Sequence, residues 1–144
     1  MNRYSQMLSR MKHSPAMERF SRLYGRRDGE LARQLSRYAN LVKAHEELFH
    51  ADEKPLYLIS APGRTEIIGN HTDHNNGRVL AAAVNLDCVA CVSPRADMTV
   101  RIHSAGYPAI ELSLDDLSVR PEEEGTSAAL VRGVAKGKIG RAHV

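Results

Sequence analysis

A dense run of polar residues between two apolar segments contains the residue types best suited to chemistry. It lies within residues 61–77, called here the polar run, and includes Asn70, His71, Thr72, Asp73, His74, Asn75 and Asn76. Carboxylate, imidazole and amide groups together can donate and accept hydrogen bonds. Because each hydroxyl of a sugar is also both donor and acceptor, this composition favours a ligand rich in hydroxyl groups.

Residue types alone leave three other interpretations of the polar run open. A metal site could use His71, Asp73 and His74, but in an extended loop residue 74 points away from the other two, and we expect no metal there. A solvated turn without function would also contain many Asn and Asp residues. A phosphate site could use Arg64, whose planar guanidinium suits phosphate oxygens.

The beginning of the chain predicts helices. Apolar residues over 1–20 have helical spacing interrupted by Pro15, which predicts one short helix or a broken pair. After a polar break at 26–30, in which Asp28 could cap the next helix, apolar residues recur about every 3.6 positions. These positions are Leu31, Leu35, Tyr38, Leu41, Val42, His45 and Leu48. We expect His45 to be a partly buried packing residue and not a ligand.

From Pro55 onward, short runs of β-branched residues predict strands. The predicted strands cover 56–60, 79–84, 88–92, 99–103 and 109–114. Pro62 and Gly63 are expected to end the first of them, and residues 94–97 to form a hairpin turn between two of the others.

A last helix is predicted over residues 126–135, with Thr126 or Ser127 as its N-cap. The order of helices, then a mixed or antiparallel sheet, then a helix predicts an α+β fold. Cys88 and Cys91 lie three apart in a predicted strand and so point to opposite faces. We therefore expect two buried, reduced thiols that share neither a disulfide nor a metal ion.

The composition is that of a globular chain. Of its 144 residues, 42% are hydrophobic and 26% charged, close to the averages for such proteins. The net charge of +3 comes from the part before residue 55, with 11 Lys/Arg against 7 Asp/Glu, scattered as on a solvated helical face. We expect no nucleic-acid partner. No stretch approaches the roughly 20 apolar residues of a membrane span, so we expect a cytoplasmic protein without a membrane partner.

The polar run resembles the galactokinase signature of the GHMP sugar-kinase superfamily. That signature usually has the form Gly-Arg-x-Asn-x-Ile-Gly-Glu-His-Thr-Asp-Tyr-Asn. This sequence keeps Pro62-Gly63-Arg64, Ile68-Gly69, His71-Thr72-Asp73, Asn75 and Gly77. Flanking segments at 79–85, 100–106 and 129–134 support the resemblance, which implies galactose as the ligand.

The resemblance also implies roles for residues at the matching positions. His71 and Asp73 would form hydrogen bonds with galactose hydroxyls, and Thr72 would shape the loop between them. Arg64 would be catalytic, lying beside the reacting hydroxyl, stabilising charge and keeping the catalytic aspartate ionised. Ser104 matches a position associated with nucleotide binding in relatives.

Three positions depart from the family pattern. Asn70, which we expect to contact the substrate, replaces the usual Glu, so a neutral amide that can also donate stands where the family has a charged acceptor. Glu66 replaces the usual Asn, and His74 the usual Tyr. These differences leave open which sugar is preferred.

The resemblance extends over residues 55–136 and implies ATP and Mg²⁺ as cofactors. The family's Gly/Ser-rich phosphate loop and catalytic aspartate have no counterpart in these 144 residues. We therefore expect a helical extension over 1–54, a partial GHMP-kinase amino-terminal domain over 55–138 and a non-native tail over 139–144. The oligomeric state is left open.

Two functions follow from the resemblance. In the first, the chain is a truncated amino-terminal fragment of a galactokinase, inactive alone, whose parent transfers the γ-phosphate of ATP to the C1 hydroxyl of galactose. In the second, it is a non-catalytic galactose-binding or regulatory module derived from such an enzyme.

Overall fold

Helices and two small antiparallel sheets form the chain, in the residues that the computed structural model describes: 3–50, 54–69 and 75–141. The chain divides into two compact units, Met1–Pro94 and Arg95–Val144. In the described part, three helices precede the first sheet, and a helix follows the second sheet. The predicted α+β class is confirmed.

The first unit begins with a broken helical pair, α1 (Arg3–Met11) and α2 (Ser14–Tyr24). Pro15 lies in the first turn of α2, where its missing N–H breaks no intrahelical hydrogen bond. The break predicted at this proline is confirmed.

The long helix α3 spans Glu30–Phe49 and confirms the strongest periodic pattern in the sequence. Its buried residues, Gln34, Tyr38, Val42 and His45, lie on one face. Asp28 does not cap it, because Gly29 occupies the N-cap position with φ of 76° and no side-chain hydrogen bond is made there.

The core of the first unit is largely aromatic. Phe20 packs edge-on against Tyr38, with ring centroids 4.9 Å apart. The other buried members are Tyr4, Met11, Tyr24, Val42 and Leu56, and Leu58, Val89 and Cys91 pack against them from the sheet. The three helices therefore cover one face of the sheet, and burying these side chains stabilises that contact.

The first sheet pairs β1 (Tyr57–Ile68) with β2 (Leu80–Val92) in antiparallel fashion. The predicted end of the first strand at Pro62 and Gly63 is wrong, because β1 continues through both residues. The strands predicted over 79–84 and 88–92 form one strand. In a two-stranded sheet each strand is an edge, which is where a sheet tolerates proline.

The cysteines lie in β2 on opposite faces, as expected. Cys91 packs against the core, and burial raises the pKa of its thiol to about 11. Cys88 is exposed, so its predicted burial is wrong. Within the described part of the first unit, the helices pack against the face of β2 that carries Val89 and Cys91, and Cys88 is on the other face.

The second unit pairs β3 (Thr99–Ile102) with β4 (Ile110–Ser113) and ends with α4 (Ser127–Arg141). The hairpin turn predicted at 94–97 is wrong, because β2 pairs with β1 and β3 pairs with β4.

The predicted N-cap of α4 is confirmed. Thr126 Oγ1 accepts a hydrogen bond from the Ala129 N–H at 3.3 Å. Farther along the helix, the buried guanidinium of Arg132 donates two hydrogen bonds to the Glu123 carboxylate, at 2.7 and 2.9 Å, and another to the Asp116 carbonyl at 2.6 Å. Arg132 therefore joins α4 to the segment that follows β4.

Among the described helices, none combines the length and apolar character that crossing a membrane requires. Residues 3–50, 54–69 and 75–141 likewise contain no group of three or more His, Cys, Asp or Glu side chains placed to hold a metal ion.

Candidate functional site

Arg64 is the predicted catalytic residue, and it lies in β1 opposite Ala83. Its side chain is exposed beside a small cross-strand neighbour. Within the described residues, its guanidinium has no hydrogen-bond or ion-pair partner. The backbone of β1 therefore sets the direction in which Arg64 leaves the sheet.

A β-bulge directly precedes Arg64. Pro62 pairs with Asp87 and Arg64 with Ala83, so Gly63 alone faces residues 84–86. Bulges bend a strand and redirect the side chains beside them, and they are common next to active sites. The predicted catalytic residue Arg64 thus directly follows a β-bulge.

Gly63 fits the bulge because it has no side chain. A Cβ at this position would lie 3.1 Å from the Leu86 carbonyl oxygen and 3.3 Å from Val84 Cγ2. Both distances are tighter than ordinary contact, so a Cβ here would require these neighbouring atoms of β2 to move by a few tenths of an ångström. Close packing against β2 therefore explains why the first residue of the Gly-Arg pair in the signature is a glycine.

Asp87, across the ladder from Pro62, holds the other side of the bulge. Its carboxylate accepts a hydrogen bond from Arg37 Nη1 at 2.5 Å, and its backbone carbonyl accepts one from Arg37 Nη2 at 2.7 Å. Arg37, in α3, thus contacts both the side chain and the main chain of Asp87 in β2.

Two hydroxyl groups complete the partners of Asp87. Ser60 Oγ and Tyr24 Oη each donate to Oδ2 at 2.5 Å, and Tyr24 Oη is also 2.7 Å from Tyr38 Oη. Since Tyr24 gives its proton to Asp87, Tyr38 donates to Tyr24. We call Tyr24, Arg37, Tyr38, Ser60 and Asp87 the Asp87 cluster.

The charges in this cluster are fixed at neutral pH. Burial alone would raise the pKa of Asp87, whose side chain is 3% exposed, but the hydrogen bonds from Ser60, Tyr24 and Arg37 together hold that pKa below its usual value. Burial, followed by the hydrogen bond to Asp87, raises the pKa of Tyr24. The partly exposed guanidinium of Arg37 and the neutral phenol of Tyr24 therefore both contact the buried carboxylate of Asp87.

At the far end of β1, Gly69 has φ of +134° and lies against Val79. A Cβ there would approach Val79 Cγ1 to 2.5 Å, so only glycine is compatible with this conformation and contact. The predicted substrate-binding residues Asn70, His71, Thr72 and Asp73, with His74, follow Gly69 in the sequence and lie outside the described residues.

Ser104, the predicted nucleotide-binding residue, is exposed just after β3. Its carbonyl accepts a hydrogen bond from the Tyr107 N–H at 3.1 Å, closing a turn that contains Gly106 with φ of +82°. Arg64 belongs to the first unit and Ser104 to the second, so the roles of these two residues stay predictions.

Sequence reasoning missed the Asp87 cluster. One signal was present, because Asp87 is the one charged residue of the largely apolar β2, and a buried carboxylate requires partners. Its partners could not be identified locally, since Arg37 lies 50 positions away in the sequence.

Comparison with known families relates the polar run to a recognised motif. A family model described as the galactokinase galactose-binding signature matches residues 43–94. The match covers the end of α3, all of β1, the polar run and all of β2. No solved structure matches the chain.

Proposed function

We propose that this chain, whose residues 43–94 match the galactokinase galactose-binding signature, carries the galactose-binding side of a sugar kinase. The proposed reaction of the whole enzyme is transfer of the γ-phosphate of ATP to the C1 hydroxyl of galactose. The observation that carries the proposal is the signature match, which includes the polar run and the strand that holds Arg64.

In this proposal, the polar run binds the sugar. His71 and Asp73 form hydrogen bonds with galactose hydroxyls, Thr72 shapes the loop, and Asn70 donates or accepts through its amide. A hydrogen bond involving a charged group contributes about 1.5–3 kcal/mol, so Asp73 should be the strongest single contact.

Arg64 acts on the reacting hydroxyl. A guanidinium beside that oxygen stabilises negative charge as it develops and favours the ionised form of a nearby catalytic carboxylate. Its exposed position in β1, without a carboxylate partner in the described part of the chain, supports this role. An arginine already paired with an acid could not serve it as well.

The reaction requires ATP and Mg²⁺, and Ser104 is the residue proposed to approach the nucleotide. Among the described residues, no group of three or more His, Cys, Asp or Glu side chains is placed to hold a metal ion. Phosphoryl transfer depends on positioning both substrates. We therefore propose that these 144 residues bind galactose without phosphorylating it. We also propose that the whole enzyme acts in the cytoplasm.

Two titrations test the proposal. The ¹⁵N-labelled chain is titrated with galactose and separately with glucose, which differs only in the configuration at C4, while amide chemical shifts are followed. We expect saturable shifts in the polar run with galactose and weaker ones with glucose. Equal responses to both sugars, or no response to galactose, would overturn the galactose assignment.

A coupled assay of ADP release then separates the kinase from a binding module. The 144-residue chain should show no galactose-dependent turnover, whereas the same residues within a longer chain that adds a Gly/Ser-rich phosphate loop should show it. If the longer chain binds galactose but does not turn over, the non-catalytic module is the correct function.

A further inference from the structure

We infer that Arg37 and Asp87 are positioning residues for Arg64, because the cluster they form fixes the bulge from which Arg64 leaves β1. The inference rests on the proposed function for its consequence at the sugar. Its structural part, the dependence of Arg64 on Arg37, can be measured without any ligand.

The ladder is irregular beside Arg64. Pro62 has no N–H to donate, and Gly63 faces three residues of β2 instead of one. Regular cross-strand hydrogen bonds are therefore depleted where the direction of Arg64 is set. A contact from outside the ladder would therefore restrain β2 at this point.

Arg37 provides that contact. Its two terminal nitrogens bind the carboxylate and the carbonyl of Asp87 at the same time, 2.5 and 2.7 Å away. Two donors in one rigid plane fix both the position and the orientation of the residue that they bind. A lysine could bind either oxygen but could not reproduce this planar, two-point contact.

The remaining partners of Asp87 extend the restraint to neighbouring elements. Ser60 comes from β1 and Tyr24 from α2, so a single carboxylate links both strands to two helices. The Asp87 side chain is 3% exposed, and charge-assisted hydrogen bonds are strong when water is excluded. β2 is therefore tied to the helices at Asp87, the residue that directly follows its bulge.

Nothing comparable holds Arg64 directly. Among residues 3–50, 54–69 and 75–141, no side chain pairs with its guanidinium, and its cross-strand neighbour is Ala83. A shift of the bulge would therefore reach Arg64 through the backbone without resistance from side-chain contacts. Small misplacements of a group beside a reacting centre are costly.

The consequence is a functional role for helices outside the matched signature. Tyr24 and Arg37 precede residue 43, where the signature match begins. In this account, α2 and the first half of α3 set the geometry of the sugar site without touching the sugar.

The test compares Arg37→Lys with a matched core variant, Val42→Ala. Val42 is fully buried in the same helix, but its side chain cannot form a hydrogen bond with Asp87, so its truncation lowers stability and leaves the groups of the Arg37–Asp87 contact in place. Both are prepared as the full chain, with Tyr24→Phe as a milder variant that removes one hydrogen bond to Asp87. Unfolding midpoints establish conditions in which every variant is folded.

Two readouts follow: the Nε–Hε and amide signals of Arg64 without ligand, and the galactose dissociation constant. We expect Arg37→Lys to move the Arg64 signals and to weaken galactose binding about tenfold, equivalent to the loss of roughly one good hydrogen bond. Tyr24→Phe should have a smaller effect in the same direction. Val42→Ala should lower the unfolding midpoint and leave both readouts unchanged.

The outcomes separate this inference from the proposed function. Unmoved Arg64 signals in Arg37→Lys, or changes in Val42→Ala of the same size, would overturn the positioning role. If the unmodified chain fails to bind galactose while Arg37→Lys still moves the Arg64 signals, the positioning of Arg64 stands and the galactose assignment falls.

Discussion

Replacing Tyr4 with Phe tests how the first unit holds α1 against α3. Tyr4 Oη is 3.0 Å from His45 Nδ1, and Ser93 Oγ is 3.2 Å from His45 Nε2, so both ring nitrogens have hydroxyl partners. Tyr4 is 1% and His45 5% exposed. Tyr4→Phe keeps the ring but leaves Nδ1 without its partner in a buried site, and we expect a loss of about 1–3 kcal/mol in the free energy of unfolding.

The same site predicts how stability depends on pH. Burial lowers the pKa of His45, so protonation is easier in the unfolded chain. The neutral, buried His45 therefore contributes its full stabilisation when the pH is above about 6.5, the pKa of His45 in the unfolded chain. That stabilisation is lost as the pH falls from this value toward the lower pKa of His45 in the folded chain. The free energy of unfolding should decrease with falling pH in this window.

Urea denaturation followed by far-ultraviolet circular dichroism measures both effects. Tyr57→Phe is the matched control. Tyr57 is 56% exposed, so removing its hydroxyl should change the free energy of unfolding little. We expect a lower midpoint for Tyr4→Phe and none of that change for Tyr57→Phe. Equal midpoints for the two variants, or greater stability below the unfolded pKa of His45, would refute the description of this buried pair.

The remaining predictions concern the sheet and its exposed groups. A thiol reagent should modify Cys88 rapidly and Cys91 slowly in the folded chain, because Cys91 is half-buried with a raised pKa; mass spectrometry of digested peptides measures this order, and equal rates would contradict it. Gly69→Ala should destabilise the chain by more than about 1 kcal/mol, because the new methyl meets Val79; an unchanged urea midpoint would show that the strand end adapts. Arg64→Lys should reduce the turnover of a complete enzyme by far more than twofold, as steady-state kinetics can determine, and near-normal turnover would remove the guanidinium from the reaction.

Much of the fold followed from local patterns. The broken pair at Pro15, the long helix α3 and the N-cap at Thr126 were predicted because each depends on neighbouring residues. Strand positions followed from β-branched runs, but pairing did not. Residues 94–97 connect two different sheets, and nothing in their sequence distinguishes them from a hairpin turn.

The candidate site was predicted less completely, for a physical reason. Pro62 and Gly63 carry the local signal for a strand end, yet β1 continues because contacts from distant residues hold the strands together at the bulge. Arg37 and Asp87 are far apart in sequence, so their ion pair leaves no periodic signal. The roles of Arg64, Ser104 and residues 70–73 came from a family resemblance and stay predictions.

The central claim is that the polar run binds galactose, and the galactose affinity of Asp73→Ala tests it most directly. Asp97→Ala is the matched control, since Asp97 is an exposed carboxylate paired with Arg95 in the other unit. Calorimetric titration of galactose into the unmodified chain and both variants should give saturable binding, weakened by about 1.5–3 kcal/mol in Asp73→Ala and unchanged in Asp97→Ala. Identical affinities for all three chains would contradict the account.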